Sequence, residues 1–117
     1  MKPGRIPCCI PFCRRTASKE KFPDCEEIIC GKHWRMADKK ARSFKTKAEQ
    51  ELRRWEARCE AIEAEGFECA KANGGVHTGI IERFRVAADA RQKAWKRAVR
   101  AWERCKRQAT EVAMGIA

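Results

Sequence analysis

Apolar residues recur at helical spacing over two long stretches of this 117-residue sequence. In the first stretch they follow one another at steps of three and four, at Phe44, Ala48, Leu52, Trp55, Cys59 and Ile62. Such steps place the side chains on one face of a helix. Asp38 can cap the start of that helix, and Gly66 can supply the left-handed residue that ends it. The pattern therefore predicts a helix over residues 38–65.

The second stretch, residues 78–114, carries a longer apolar seam. Its positions alternate steps of three and four, and Arg91 is the one charged residue among them: Ile81, Phe84, Ala88, Arg91, Trp95, Ala98, Trp102, Cys105, Ala109 and Val112. A seam of that length is typical of coiled-coil packing or of self-association. The residues between the two stretches, 66–77, contain an Asn-Gly-Gly turn signal. We therefore predict a mainly α fold built on an antiparallel helical hairpin, with a homodimer through the seam as an open expectation.

Three tryptophans occupy seam positions of the predicted hairpin. Trp55 belongs to the first helix, and Trp95 and Trp102 belong to the second. Large rings fill a two-helix core that short aliphatic side chains would leave thin. We therefore expect these three rings to lie between the helices.

The N-terminal residues, 1–37, differ from the rest of the chain. All four prolines lie there, and no helical period is sustained, so loops and short strands are expected. Large apolar side chains are too few in this segment to build a core without a covalent or metal staple. We therefore predict two domains, a small module over residues 1–37 and the helical hairpin over residues 38–117.

The cross-link that holds this segment together is expected to involve some of the eight cysteines. The first residues, "MKPGRIP", lack the apolar run of a signal peptide, so reduced thiols in the cytoplasm of a bacterial host cell are expected rather than disulfides. No apolar run approaches the roughly 20 residues that cross a bilayer, so no membrane partner is expected. Zinc is usually gripped by two short pairs of soft ligands, each pair held by one tight local structure. The sequence offers Cys8-x4-Cys13 and Cys30-x2-His33, separated by sixteen residues.

Residues 8–35 resemble a known family of zinc modules. The segments "CCIPFCRR" and "ICGKHWR" are similar to the treble-clef zinc modules of small bacteriophage proteins, some of which lie beside phage HNH nucleases. The resemblance implies a zinc knuckle, a β-hairpin and a helix that bears the last two ligands. It assigns Cys8, Cys13, Cys30 and His33 as ligands of one structural zinc ion. It also implies nucleic-acid contact, with Arg14 and Arg35 as phosphate contacts.

One departure from that family leaves the ligand set open. The spacer between the two pairs is longer than in the family, and it contains Cys25 within the loop "KEKFPDCEE". Either Cys9 or Cys25 can therefore replace one of the four ligands. The longer turn of the Cys8 pair matches the family better than a Cys9-x3-Cys13 pair does, and this favours Cys8.

The charge of the chain favours a polyanionic partner. Lysine and arginine number 27 against 16 acidic residues, which gives a formal charge of +11. The acidic residues are concentrated in the middle of the chain, where residues 49–77 carry a net charge of −3 between basic ends of +8 and +6. The expected phosphate contacts lie in the zinc module and along the second helix, at Arg14, Arg15, Lys32, Arg35, Arg97, Arg100, Arg104 and Arg107.

Catalysis has little support in the sequence. An HNH nuclease needs further histidines around a second metal, whereas this chain has His33, assigned to zinc, and His77 in a glycine-rich bend. We therefore expect a non-catalytic, zinc-binding accessory or regulatory protein of phage type that contacts nucleic acid. The alternative is a phage-encoded protein that inhibits a host complex, such as one that handles nucleic acid or acts in defence.

The basic face of the second helix generates a testable prediction. Replacing Arg97, Arg100, Arg104 and Arg107 with alanine is expected to weaken nucleic-acid affinity, because each lost cation leaves counterions on the phosphates. Alanine is a strong helix former, so helicity should not fall. Binding titrations combined with circular dichroism check both expectations, and an unchanged affinity would show that the arginines form only a solvated flank.

Overall fold

A computed structural model describes residues 4–116 of the chain. Two short strands, β1 (Arg5–Pro7) and β2 (Thr16–Ser18), precede a single helical turn, α1 (Gly31–Trp34). Two long helices follow, α2 (Lys39–Asn73) and α3 (Thr78–Ala113), and they pack against each other. The predicted mainly α architecture with a long helical hairpin is therefore confirmed. Within residues 4–116, no helix contains an apolar stretch that could cross a bilayer.

The end of α2 corrects the predicted boundary at residue 65. The helix runs through Gly66 to Asn73, where Gly74 adopts a φ of +74° and donates its N–H to the carbonyl of Ala70 at 2.8 Å. This is the left-handed cap that the sequence analysis had assigned to Gly66. A glycine inside a helix costs only about 1 kcal/mol, so favourable packing can carry the helix through it.

Gly66 is buried against the beginning of α3. A Cβ atom at this position would lie 3.7 Å from a methyl group of Ile80 and 3.8 Å from one of Val76. The missing side chain therefore lets the two chain segments approach closely near the bend. The bend itself is short, because it occupies only the residues between Asn73 and Thr78.

Both ends of α3 are capped by hydrogen bonds. At the start, His77 accepts the N–H of Gly79 through its Nδ1 atom at 3.0 Å, which satisfies one of the free donors of the first turn. At the end, Gly115 has a φ of +74°, and its N–H and that of Ile116 bond back to the carbonyls of Val112 and Glu111. This pair of bonds is a Schellman motif, in which Gly115 is the left-handed residue that ends the helix.

The interface between the helices consists mainly of small side chains, and it corrects the predicted seam of α3. The residues buried between Phe44 and Ala101 are Ala48, Cys59, Ile62 and Gly66 on α2 and Ala87, Ala94, Ala98 and Ala101 on α3. Trp95 is 50% exposed and Ile81 is 55% exposed, so these predicted core residues lie at the surface. Trp55 is partly buried against this core, as predicted.

The seam lies one residue earlier than predicted over much of α3. Each pair Ile80–Ile81, Ala87–Ala88, Ala94–Trp95 and Ala101–Trp102 offers an apolar residue at both neighbouring positions. The helical period therefore fits both sets, and where the two members differ in size, at Ala94–Trp95 and Ala101–Trp102, the smaller residue is the buried one. On α2 the predicted face is confirmed at Ala48, Cys59 and Ile62, whereas Phe44 is exposed.

The chain forms two compact units, and both long helices contribute to each. The first unit, called the head here, comprises the chain up to Ser43 and the chain from Trp102 onward. The second, called the hairpin unit, comprises Phe44–Ala101. The proposed boundary after residue 37 remains a prediction, while the structure shows that the end of α3 is part of the head.

The head has two small clusters of buried residues. Cys8 and Ile10 pack with Ala109, and Ile29 lies against the same cluster. Ala37 and Ala41 pack with Cys105. The end of α3 therefore contacts the N-terminal segment at Ala109. Further along the chain, Val112 and Ile116 are exposed.

The small-residue interface generates a stability prediction. Ala94 is 1% exposed, and a leucine there would force the two helices apart. We expect Ala94→Leu to lower the free energy of unfolding by about 1–3 kcal/mol. Urea denaturation followed by circular dichroism measures this change. Ala57→Leu, at an exposed position of α2, is the matched control and should change stability by no more than about 0.5 kcal/mol.

Candidate metal centre

The first two ligands lie on a tight turn between β1 and β2. The strands pair antiparallel, with Ile6 opposite Ala17, and the N–H of Cys8 donates to the carbonyl of Arg15 at 2.9 Å. The turn itself closes through the N–H of Cys13, which donates to the carbonyl of Ile10 at 3.2 Å. Chain reversal over these few residues places both thiols on the same side of the turn.

The second pair lies at the start of α1. Cys30 is the N-cap residue, and its carbonyl accepts the N–H of Trp34 at 2.8 Å. His33 follows one helical turn later, so its ring lies beside the Cys30 thiol. The two pairs meet because Ile28 forms a bridge with Cys8 and accepts the N–H of Cys9 at 2.8 Å.

The four ligand atoms form one cluster. The thiols of Cys8, Cys13 and Cys30 and a ring nitrogen of His33 all lie within 4.8 Å of one another. Individual separations are 3.9 Å between the sulfurs of Cys13 and Cys30, 3.8 Å from Cys8 Sγ to His33 Nδ1, and 3.2 Å from Cys30 Sγ to the same nitrogen. This set can hold one metal ion.

The separations fit a tetrahedral ion with soft ligands. A zinc–sulfur bond of about 2.3 Å places two sulfurs of a tetrahedron about 3.8 Å apart. The sulfur–sulfur distance of 3.9 Å in the cluster matches that spacing. The cluster therefore has the donor atoms of a Cys3His set, gathered closely enough to hold one metal ion.

The local environment affects the thiols differently. Burial is the main reason why the pKa of Cys8 is raised above its ordinary value. Burial also acts to raise the pKa of Cys30, but the backbone N–H of His33 and the neighbouring thiol of Cys13 outweigh it, so the net shift is downward. Cys30, at the helix start, is therefore the ligand whose thiolate form the fold favours.

The structure separates the two alternative cysteines from the cluster. Cys9 is partly buried, and burial together with the charge of Glu27 raises its pKa. Cys25 is exposed in the loop before α1. Neither thiol belongs to the four-residue cluster, and within residues 4–116 no cysteine forms a disulfide.

The strand order differs from the arrangement that the treble-clef resemblance implies. In that arrangement a β-hairpin follows the knuckle, whereas here β1 precedes it and β2 follows it. The helix that bears the last two ligands is also short, because α1 has only four residues. The longer spacer contributes a loop and the bridge between Cys8 and Ile28 in place of a second pair of strands.

A carboxylate missed by the sequence analysis joins that loop to α3. Glu27 accepts the indole N–H of Trp102 at 2.9 Å and forms an ion pair with Lys106 at 3.0 Å. The hydrogen bond from Trp102, followed by that from Lys106, lowers the pKa of the Glu27 carboxyl group. No local sequence signal could have identified this contact, because its partners lie 75 and 79 residues away.

The predicted phosphate contacts fall into two groups. Arg35 donates its Nε–H to the carbonyl of Gly31 at 3.0 Å, and Arg97 forms an ion pair with Glu51 at 2.7 Å. The other six are exposed, and in residues 4–116 their side chains have no hydrogen bond or ion pair: Arg14, Arg15, Lys32, Arg100, Arg104 and Arg107. Most of the predicted cations are therefore available to an external anion.

Two cations of α3 are engaged with carboxylates of α2. Arg97 directly precedes the seam residue Ala98, and Arg83 directly precedes Phe84. Arg97 reaches across to Glu51 of the partner helix, and Arg83 reaches across to Glu65. Arg97, which the sequence analysis placed on the basic face of the second helix, therefore lies toward α2.

Comparisons with family models, with curated proteins and with solved structures find no match for this chain. The likeness of residues 8–35 to treble-clef modules therefore remains a resemblance of local sequence.

The cluster generates a prediction about metal binding. We expect mass spectrometry under native conditions to find about one zinc ion per chain, and His33→Ala to weaken zinc binding by more than about 100-fold. The N-terminal segment should then become protease-sensitive while most of the helical circular dichroism signal remains.

His77→Ala is the matched control, because it removes the other histidine of the chain. It should retain the zinc ion and should lose only the cap on α3, at a cost of about 1 kcal/mol. A wild-type protein without bound zinc, or a His33→Ala protein with wild-type protease resistance, would contradict the assignment.

Proposed function

We propose that this chain binds one structural zinc ion and contacts nucleic acid through the basic surface around it, without catalysing a reaction. The observation that carries the proposal is the position of Arg14, Arg15 and Lys32, whose side chains have no partner within residues 4–116. Each of these cations is within two residues of a cysteine or histidine of the metal cluster.

Zinc is the metal that the donor set favours. Three thiolates and one imidazole form a soft, tetrahedral set typical of structural zinc sites. Four protein ligands fill the tetrahedron, so no position remains for a reacting water or substrate. The ion therefore serves to fix the fold of the head.

The charge distribution supports a polyanionic partner for the head. The segments that form it contain 14 lysines and arginines against 7 acidic residues, a net charge of +7. The hairpin unit has 13 against 9, a net charge of +4, and several of its cations are paired with carboxylates. Neutralising phosphates with free lysines and arginines releases counterions and supplies affinity without sequence specificity.

We place the protein in the bacterial cytoplasm as an accessory or regulatory factor of phage type. This part of the proposal depends on the resemblance of residues 8–35 to phage zinc modules. It is independent of the charge argument.

A second candidate function is docking on a host protein, and one feature of the hairpin unit favours it. A groove of about 300 Å³ near the bend is lined by Phe67, Val76 and Ile81, all of them exposed apolar residues, and by Glu63. An apolar groove beside acidic residues fits an amphipathic helix with basic flanks. Specific loss of a host partner with Phe67→Asp would support this function.

The proposed function predicts a localised charge effect. Replacing Arg14, Arg15 and Lys32 with alanine should lower the affinity for a short oligonucleotide and reduce the salt slope by about 2–3. Replacing Lys47, Arg54 and Arg58, three exposed cations of the hairpin unit, makes the same change in net charge and is the matched control.

Fluorescence anisotropy titrations at several salt concentrations measure both quantities. Equal losses in the two triple variants would show that only net charge matters. No binding by the wild-type protein at about 50 mM salt would rule out nucleic-acid contact and would leave the protein-docking function.

A further inference from the structure

We propose that the cleft beside the metal centre binds an unpaired nucleotide, with its base stacked on Phe12 and its phosphates held by Arg14, Arg15 and Lys32. This inference rests on the proposed function and specifies its ligand. A double helix is excluded as the preferred ligand of this cleft, because its bases are already stacked on one another.

Phe12 occupies an unfavourable backbone position. It has a φ of +66° and is the one non-glycine residue with positive φ among residues 4–116. The preceding Pro11 and the bond from Cys13 to Ile10 mark a turn whose third residue favours glycine or asparagine. A bulky side chain at such a position is strained, and strain of this kind concentrates at functional sites.

The side chain of Phe12 is also unfavourably exposed. It is 94% exposed, more than any other large apolar residue in the described part of the chain. Its ring therefore contributes little to the core. The backbone conformation would also favour a smaller residue. Both observations indicate that the ring itself is used for an external contact.

The surroundings of the ring match the chemistry of a nucleotide. A cleft of about 500 Å³ is lined by Pro11, Phe12, Arg14, Arg15, Lys32 and Met114, among others. This volume lies within the range of about 300–1,000 Å³ that small-ligand sites span. Aromatic rings flanked by cations bind single-stranded nucleic acid, because every base has a face that stacks and every nucleotide has a phosphate.

The metal cluster holds in place the backbone turn that carries the ring. Phe12 directly precedes Cys13, and the turn that carries both is closed by the Cys8 and Cys13 ligands. A ring held on a rigid turn loses little conformational freedom on binding, so stacking costs less entropy than it would on a mobile loop.

The test uses the full-length, zinc-loaded chain and the variant Phe12→Gly. Glycine adopts positive φ without strain, so zinc content and thermal stability should be retained or improved. Affinity for an oligonucleotide of about 15 thymidines should fall by about 5- to 100-fold, the size of one lost stacking contact. The salt slope should stay unchanged because no phosphate contact is removed.

Three comparisons isolate stacking from other effects. Phe12→Trp should retain the wild-type affinity, and Phe44→Ala, which removes an exposed ring in the hairpin unit, should leave it unchanged. For an abasic oligomer of the same length, the wild-type protein and Phe12→Gly should bind equally well, since this probe has phosphates but no bases.

Two results would overturn the inference while leaving the proposed function intact. One is an unchanged affinity of Phe12→Gly for the thymidine oligomer, and the other is an equal loss on the abasic oligomer. Competition by an acidic peptide as effective as that by the oligonucleotide would also overturn it. Failure of the wild-type protein to bind any of the nucleic-acid probes would instead refute the proposed function as well.

Discussion

The grouping of three thiols and one imidazole is the interaction on which the head depends. Between residues 4 and 36 the buried apolar side chains are Ile6, Cys8 and Ile10, too few to pay for ordering the segment by burial alone. Closing the cluster fixes the turn after β1 and the start of α1 together. The positions of Phe12 and of the neighbouring cations follow from that closure, so the proposed binding surface depends on the staple.

Packing between the long helices imposes a different constraint. Alanine and cysteine dominate the buried positions, and Cys59 and Cys105 are the largest side chains that are fully buried. The helices are therefore stabilised by close backbone approach along their length rather than by large interlocking rings. Trp95 remains outside this seam, and Trp102 donates a hydrogen bond to Glu27 in the head.

Local sequence patterns predicted the metal cluster and the two long helices. Long-range packing determines the features that those patterns did not predict. The spacing of Cys8, Cys13, Cys30 and His33 identified the cluster, because each pair is held by a few neighbouring residues. The helical period located both long helices, but it could not choose between adjacent apolar residues such as Ala94 and Trp95. Gly66 was read as a helix end because its packing partners lie beyond the bend.

The division of the head between two distant chain segments has a consequence for how the protein is made. All four residues of the cluster lie between residues 8 and 33 and leave the ribosome before Ala109, which completes their core and follows the whole of Phe44–Ala101. Metal capture can therefore precede the closure of the long loop between the two segments, which occurs when the end of α3 packs against the N-terminal segment. The nascent chain would hold a metal ion at this cluster before Ala109 packs against Cys8 and Ile10.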